Sequence, residues 1–366
     1  MKKILWIFLI WFVAINAFAF LAANRVNYLP QNLVAQEHEL LTPYINLPTW
    51  SLQKLHPHWD EYWYLSVVQS GYFNSHEATF SNAAFFPLYP AIVSVIDVFI
   101  HNPIITGVLL SSIILLLASW MLFLLVKEFH PSISPTKTVI IMLVFPTTFF
   151  FISMYAESLF LFLSISCFYF LFRKNFWIAG VFGFLAALTR ITGLLLIIPF
   201  AFELYETYKS KVIKKEVFAL ALIPVGTLAY FTYLAVKLDN FFLFFKAQAQ
   251  WGRNFMLNPA RFSFADPGTA ANTILDVGFT ALSIILAIYL IRNVKKSYGF
   301  YVLAVLFVAV STGTVTSINR IVLVLFPLFI ALAHIKSENG KLAWMLPSTL
   351  LLGFYTMLFV QGYWAG

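Results

Sequence analysis

The span His56–Tyr72, HPHWDEYWYLSVVQSGY, gathers two acids, two histidines, two tryptophans and three tyrosines in a chain otherwise poor in polar side chains. On a helix, Trp59 and Trp63 fall at i and i+4, with Asp60 and Tyr64 on the adjacent stripe. An acid beside such an aromatic wall can be partly desolvated and held in one orientation. A plainer reading stands beside this one. Trp63, Tyr64 and Tyr72 also suit an aromatic belt at headgroup level, and Asp60 and Glu61 suit solvated acids at the foot of a membrane helix. Spacing alone leaves both open.

Other chemistries find little in the sequence. No GxxxxGK[ST] loop is present to cradle a nucleotide phosphate. No HExxH or Cys/His cluster marks a zinc site. His56 and His58 lack a third ligand nearby, so no metal site is assigned and metal dependence stays open. His76, Glu77 and Asp97 are possible helpers; Asp97 reads equally as a cap at the end of its segment.

The elements that must position these residues are membrane helices. Of the 366 residues, 61% are hydrophobic and 10% charged, against about 25% charged in a soluble domain. Mean hydropathy is +0.85. Apolar runs fall at about 4–24, 84–100, 104–126, 138–153, 156–172, 176–189, 191–206, 216–236, 275–292, 299–316, 320–335 and 342–361. The expected fold is all-α integral membrane, one polytopic domain over 1–366 with about ten to twelve transmembrane or half-membrane helices. The first run resembles a signal peptide but is long for one and lacks a cleavage pattern, so it reads as a retained helix. Several runs, notably those flanking Pro146 and Arg190, are too short for a full span, and half-length helices need protein or a watery cavity around their ends. Cys167, the single cysteine, lies within an apolar run as a packing residue.

The net charge of +8 does not point to nucleic acid. Its lysines and arginines cluster at Lys2-Lys3, at Arg173, from Lys209 and from Arg292, as cytoplasmic anchors do. This places two long connections outside: 25–83 as the first extracytoplasmic loop and 237–274 as the second. Counting from either end disagrees by one crossing, so one of the segments around 84–126, or a later short pair, does not fully cross.

At WDEYWYLSVVQSGY followed by AFFPLYP the chain resembles the PIG-V-like mannosyltransferases. FPTTFFFISMYAESLFLFLS, WIAGVFGFLAALTRITGLLLIIP and INRIVLVLFPLFIALA resemble further blocks of that family in the same order. Asn319 and Ile321 stand where the family's late helix carries Pro and Tyr. The resemblance implies a GT-C glycosyltransferase in the cell membrane, active on the extracytoplasmic face. It implies polyprenyl-phosphate mannose as donor, a glycolipid or other glycan as acceptor, and Asp60 as catalytic base. The remaining partners are membrane lipids.

A lipid phosphate leaving without protonation calls for fixed cations, and Arg gives two-point phosphate contacts. Arg190, Arg253 and Arg320 all fall on the outer side. Arg190 reads either as a phosphate ligand or as the partner of Glu157, and Arg320 as a phosphate ligand or a snorkelling side chain. In KAQAQWGRNF, Gln248, Gln250 and Trp251 suit sugar recognition, or an interfacial helix with no ligand; Lys246 is a solvated flank. Candidate substrate contacts are thus Glu61, Trp63, Tyr64, Glu157, Arg190, Gln250, Trp251, Arg253 and Arg320. The rival class is a transporter or flippase for a lipid-linked substrate, which should show matching broken helices in both halves. None is evident.

Overall fold

The computed structural model describes residues 2–25, 41, 45, 55–74, 81–209, 215–250, 252–253, 267–312 and 317–365. Among the described residues all regular structure is helical. The chain begins with α1 (Lys2–Arg25), the short α2 (Asp60–Ser70), a 3-10 turn at Asn82–Ala84, α3 (Leu88–Ile100) and α4 (Pro103–Phe129). Next come α5 (Pro135–Leu143), a 3-10 turn at Thr148–Phe151, α6 (Glu157–Phe172) and α7 (Phe176–Ala187). A 3-10 segment, Ile191–Leu196, runs into α8 (Ile197–Tyr208), followed by α9 (Val217–Leu238) and α10 (Leu243–Gln250). The last third holds α11 (Pro267–Asn293), α12 (Lys296–Ser311), α13 (Ile318–Leu323), α14 (Pro327–His334) and α15 (Glu338–Val360).

Local sequence sets several of these boundaries. Asn102 accepts from the Ile105 N–H at 3.2 Å and Pro103 occupies the first turn, so α4 starts with a cap and a preset φ. Ser134 with Pro135 starts α5 in the same way, and Ser337 caps α15 through the Gly340 N–H at 3.0 Å. By length and apolar character, six helical stretches suffice to cross a membrane: Lys2–Arg25, Pro103–Phe129, Ile191–Tyr208, Val217–Leu238, Asn272–Asn293 and Glu338–Val360. Large apolar side chains stand open to the outside on the long helices, including Val236 and Leu350, an arrangement suited to lipid rather than water.

The bundle has two chemically distinct ends. At one, Arg173 pairs with Glu128 at 2.8 Å, Lys137 pairs with Glu338 at 2.8 Å, and Lys174 and Lys295 flank Glu203. At the other lie Asp60, Glu157, Arg190 and Arg320. Helices α4 and α6 run parallel between the ends, since Ser111 reaches the Tyr155 carbonyl at 3.3 Å while Glu128 meets Arg173. Helices α7 and α9 are also parallel and touch backbone to backbone; a Cβ at Gly180 would stand 2.4 Å from the Ala219 carbonyl oxygen. The end of α15 is tied to α1 by Gln361 Nε2 donating to the Ala22 carbonyl at 2.9 Å.

Helix α3 forms a hairpin with the first part of α4. Tyr89, in its first turn, bonds Ser111 at 2.8 Å and the Gly107 carbonyl at 3.1 Å. At its far end Asp97 accepts from the Asn102 N–H at 2.8 Å and the Thr106 hydroxyl at 2.6 Å. It therefore folds back along the first part of α4 and ends where α4 begins, without reaching the basic end. Asp97 is the cap of that hairpin.

Candidate active site

Four separate pieces of chain deliver four charged side chains to the end opposite the basic clusters. Asp60 and Glu157 each sit in the first turn of a helix, α2 and α6, where the helix dipole favours a carboxylate. Arg190 is an extended residue between α7 and the Ile191–Leu196 segment. The chain doubles back so tightly there that a Cβ at Gly193 would lie 2.4 Å from the Ala186 backbone. Arg320 lies on α13, a six-residue helix buried on every side.

The four form one network. Arg320 donates through Nε to Glu157 Oε1 at 2.5 Å and through Nη1 to Asp60 Oδ2. Arg190 Nη1 donates to the same Glu157 Oε1. Glu157 is fully buried, and among the described residues its Oε2 has no hydrogen-bond partner. The Arg320 guanidinium lies over the Tyr155 ring at 4.7 Å, with Phe150 at 5.3 Å and Trp364 at 6.0 Å. Rings this close add cation–π attraction to the ion pairs. Trp364 meets Trp59 edge to face at 5.3 Å, so two indoles wall the side of the network next to Asp60. The side chain of Asp60 remains 17% exposed, which leaves it open to a ligand.

Glu61 has a different task from its neighbour. Its carboxylate is fully buried and accepts from the His58 N–H at 2.6 Å, the Met154 N–H at 2.7 Å and the His56 Nδ1 at 2.8 Å. Tyr155 adds a bond to the His58 carbonyl at 3.2 Å. These contacts clamp the start of α2 to the turn leading into Glu157, and so fix the two carboxylates relative to each other. Glu61 is a brace, and the structure does not present it to a ligand.

Other sequence candidates also turn inward. Trp63 is buried and stacks on Phe85 at 5.9 Å. Tyr64 packs edge to face on Tyr89 and Tyr155 at 5.2 and 6.2 Å, and burial, with Glu157 nearby, pushes its hydroxyl well above the usual range, so it stays protonated. Gln250 accepts from the Ser81 N–H at 2.9 Å, which pins α10 over the first long loop, and Phe244 of α10 meets Phe86 at 5.3 Å. Lys246 is exposed. Arg253 is within the electrostatic reach of the network but bonds none of its four members: burial first, then the positive charges of Arg320 and Arg190, lower its guanidinium to about 10, leaving it cationic at neutral pH. Trp251, His76 and Glu77 lie outside the described residues.

Two contributors escaped sequence reading. Asp276 on α11 accepts from the Asn319 N–H at 3.4 Å and holds the start of α13, and with it Arg320. A lone acid within the apolar run 275–292 was the signal for it. Trp364, beyond the last helix, carried none. Among the described residues no group of three or more His, Cys, Asp and Glu converges as a metal site. Compared with known proteins, the chain matches no family model and no curated protein.

Proposed function

We propose that this protein is a multi-pass membrane glycosyltransferase of the GT-C type and a PIG-V-like mannosyltransferase. It transfers mannose from polyprenyl-phosphate mannose to a glycolipid or another glycan outside the cytoplasm, with inversion and with Asp60 as base. The observation that carries this reading is the pairing of Asp60 with Arg320 inside a network that also holds Glu157 and Arg190. The basic end faces the cytoplasm under the positive-inside rule, so the network faces outward. The short helices α6, α7 and α12, with the broken α5 and α13–α14 segments, cross alongside the six long stretches, giving about ten to twelve passes.

Charge accounting supports the chemistry. Asp60 takes the proton of the acceptor hydroxyl, whose oxygen attacks the anomeric carbon. The bond from that carbon to the phosphate oxygen breaks, and the electron pair leaves with the lipid phosphate. The phosphodiester brings one negative charge and departs with two. Arg190, Arg320 and Arg253 balance Asp60, Glu157 and the diester before transfer. They balance Glu157 and the doubly charged leaving group once Asp60 is protonated. Donors fixed before the charge develops are the most effective form of transition-state stabilisation.

The test is transfer from radiolabelled polyprenyl-phosphate mannose to a lipid extract by the purified protein. Product formation that disappears in Asp60→Asn, with folding retained, is the expected result. No transfer by the wild type with any extract, or undiminished transfer by Asp60→Asn, would sink the proposal.

A further inference from the structure

We infer that the donor phosphate and Asp60 compete for one guanidinium, so that binding of the lipid phosphate is what frees the base. This rests on the reading of the site proposed above and adds an order to it: donor first, deprotonation of the acceptor second.

Arg320 has few N–H groups left to give. A guanidinium offers five N–H groups in a rigid fork and grips a phosphate best along an edge that supplies two of them. Its Nε is committed to Glu157 at 2.5 Å, and Glu157 is itself fully buried and held by Arg190. One flat face rests on Tyr155. The edge left for two-point binding is the outer one, formed by Nη1 and Nη2. Nη1 is already bonded to Asp60. A phosphate that takes this edge displaces Asp60 from Nη1.

The two carboxylates differ in how easily they give way. Glu157 has no exposed surface and holds two arginines, whereas the Asp60 side chain is 17% exposed and bonds one. The incoming anion therefore exchanges with Asp60 and leaves the anchor intact. Released from Arg320, Asp60 Oδ2 is free to turn to the acceptor hydroxyl beside the bound sugar. Until that exchange, Asp60 Oδ2 is turned to the guanidinium and away from an acceptor. The contact thus occupies Oδ2 until the donor takes its place on Arg320.

The consequence is opposite in sign for binding and for transfer. Removing the Asp60 charge abolishes transfer yet strengthens phosphate binding, because the competitor is gone. The probe is farnesyl phosphate, a short isoprenoid phosphate, titrated into purified protein in detergent. Asp60→Asn is expected to bind it at least about fivefold more tightly than wild type, the lower end of ordinary coupling between linked sites. Asp60→Ala is measured in parallel, so that a folding defect in one variant does not hide the answer. Arg320→Gln should weaken binding, and Glu338→Gln, at the opposite end, should leave it unchanged. Wild-type binding that is lost in Arg320→Gln but is equal or weaker in folded Asp60 variants would overturn the competition and leave the donor site standing. Absence of binding to wild type, or binding indifferent to Arg320, would remove the donor site and this inference together.

Discussion

Both ends of the bundle bury a glutamate between two cations, and they do it differently. Glu157 is hydrogen-bonded by two arginines whose side chains are only 10% and 19% exposed. Glu203 is 1% exposed, but its lysines stand off at 3.4 and 3.8 Å and are 39% and 48% exposed. Arginine's planar fork suits a fixed, dry geometry; lysine's compact ammonium keeps its hydration. The same inventory of charges thus yields a rigid constellation at one end and a loose, solvated anchor at the other.

The widest gap between the ends should be in activity. Asp60→Asn is expected to lower transfer by about 10²–10⁴-fold, the usual worth of a general base. Glu203→Gln should stay within about twofold of wild type. If Glu203→Gln loses as much activity as Asp60→Asn, the two ends are not functionally distinct. Stability comes next. Glu157→Gln removes the counter-charge of the half-buried Arg190 and one of the two held by Arg320, and should cost about 3–5 kcal/mol, read as a fall in apparent Tm in detergent. The lysines beside Glu203 turn to solvent when it is neutralised, so Glu203→Gln should cost no more than about 1 kcal/mol.

A third comparison uses pH at the basic end. His130 bonds Tyr298 at 3.0 Å, and burial, then Lys295 and His334, hold its imidazole down at about 4. The unfolded chain takes up a proton near pH 6.5, before the folded one does, so folding is penalised as pH falls. Wild-type stability relative to His130→Gln should therefore decline between about pH 6.5 and 4, by up to about 3 kcal/mol. A flat difference over that window would show that His130 is charged when folded. The smallest effect belongs to the exposed pair Lys137–Glu338, 47% and 67% exposed. Lys137→Ala should cost under about 1 kcal/mol, and less at high salt.

Much of this contrast was legible in the chain. Clusters at Arg173 and Arg292 marked one end because solvated cations accumulate next to apolar runs. Arg190 and Arg320 stood out because ionisable groups at the membrane edge are costly and so need partners, Glu157 among them, and Asp60 stood out through its spacing beside Trp59 and Trp63. The broken run around Pro146 pointed to an internal site, and the Thr148–Phe151 turn and the bends up to Glu157 occupy that break. Adjacent residues were harder to separate. Helix phase and the family resemblance alone set Asp60 above Glu61 in sequence; in the structure one opens to the network and the other is consumed by Met154, His56 and His58. Trp63, Tyr64 and Gln250 have side chains that suit sugar binding, but packing and a backbone bond claim them first.

Sequence alone determined that the chain is a set of apolar helices with two unlike ends, because hydropathy and charge are local properties of each segment. It also picked out Asp60, Glu157, Arg190 and Arg320, though not the buried Asp276. Which of them meet was decided by tertiary structure. Asp60 and Arg320 are 260 positions apart, and Glu157 joins them only because α6 starts where α2 and α13 end their approach to the same buried point. Hydrogen bonds of that reach depend on the placement of whole helices. No spacing in the sequence encodes it.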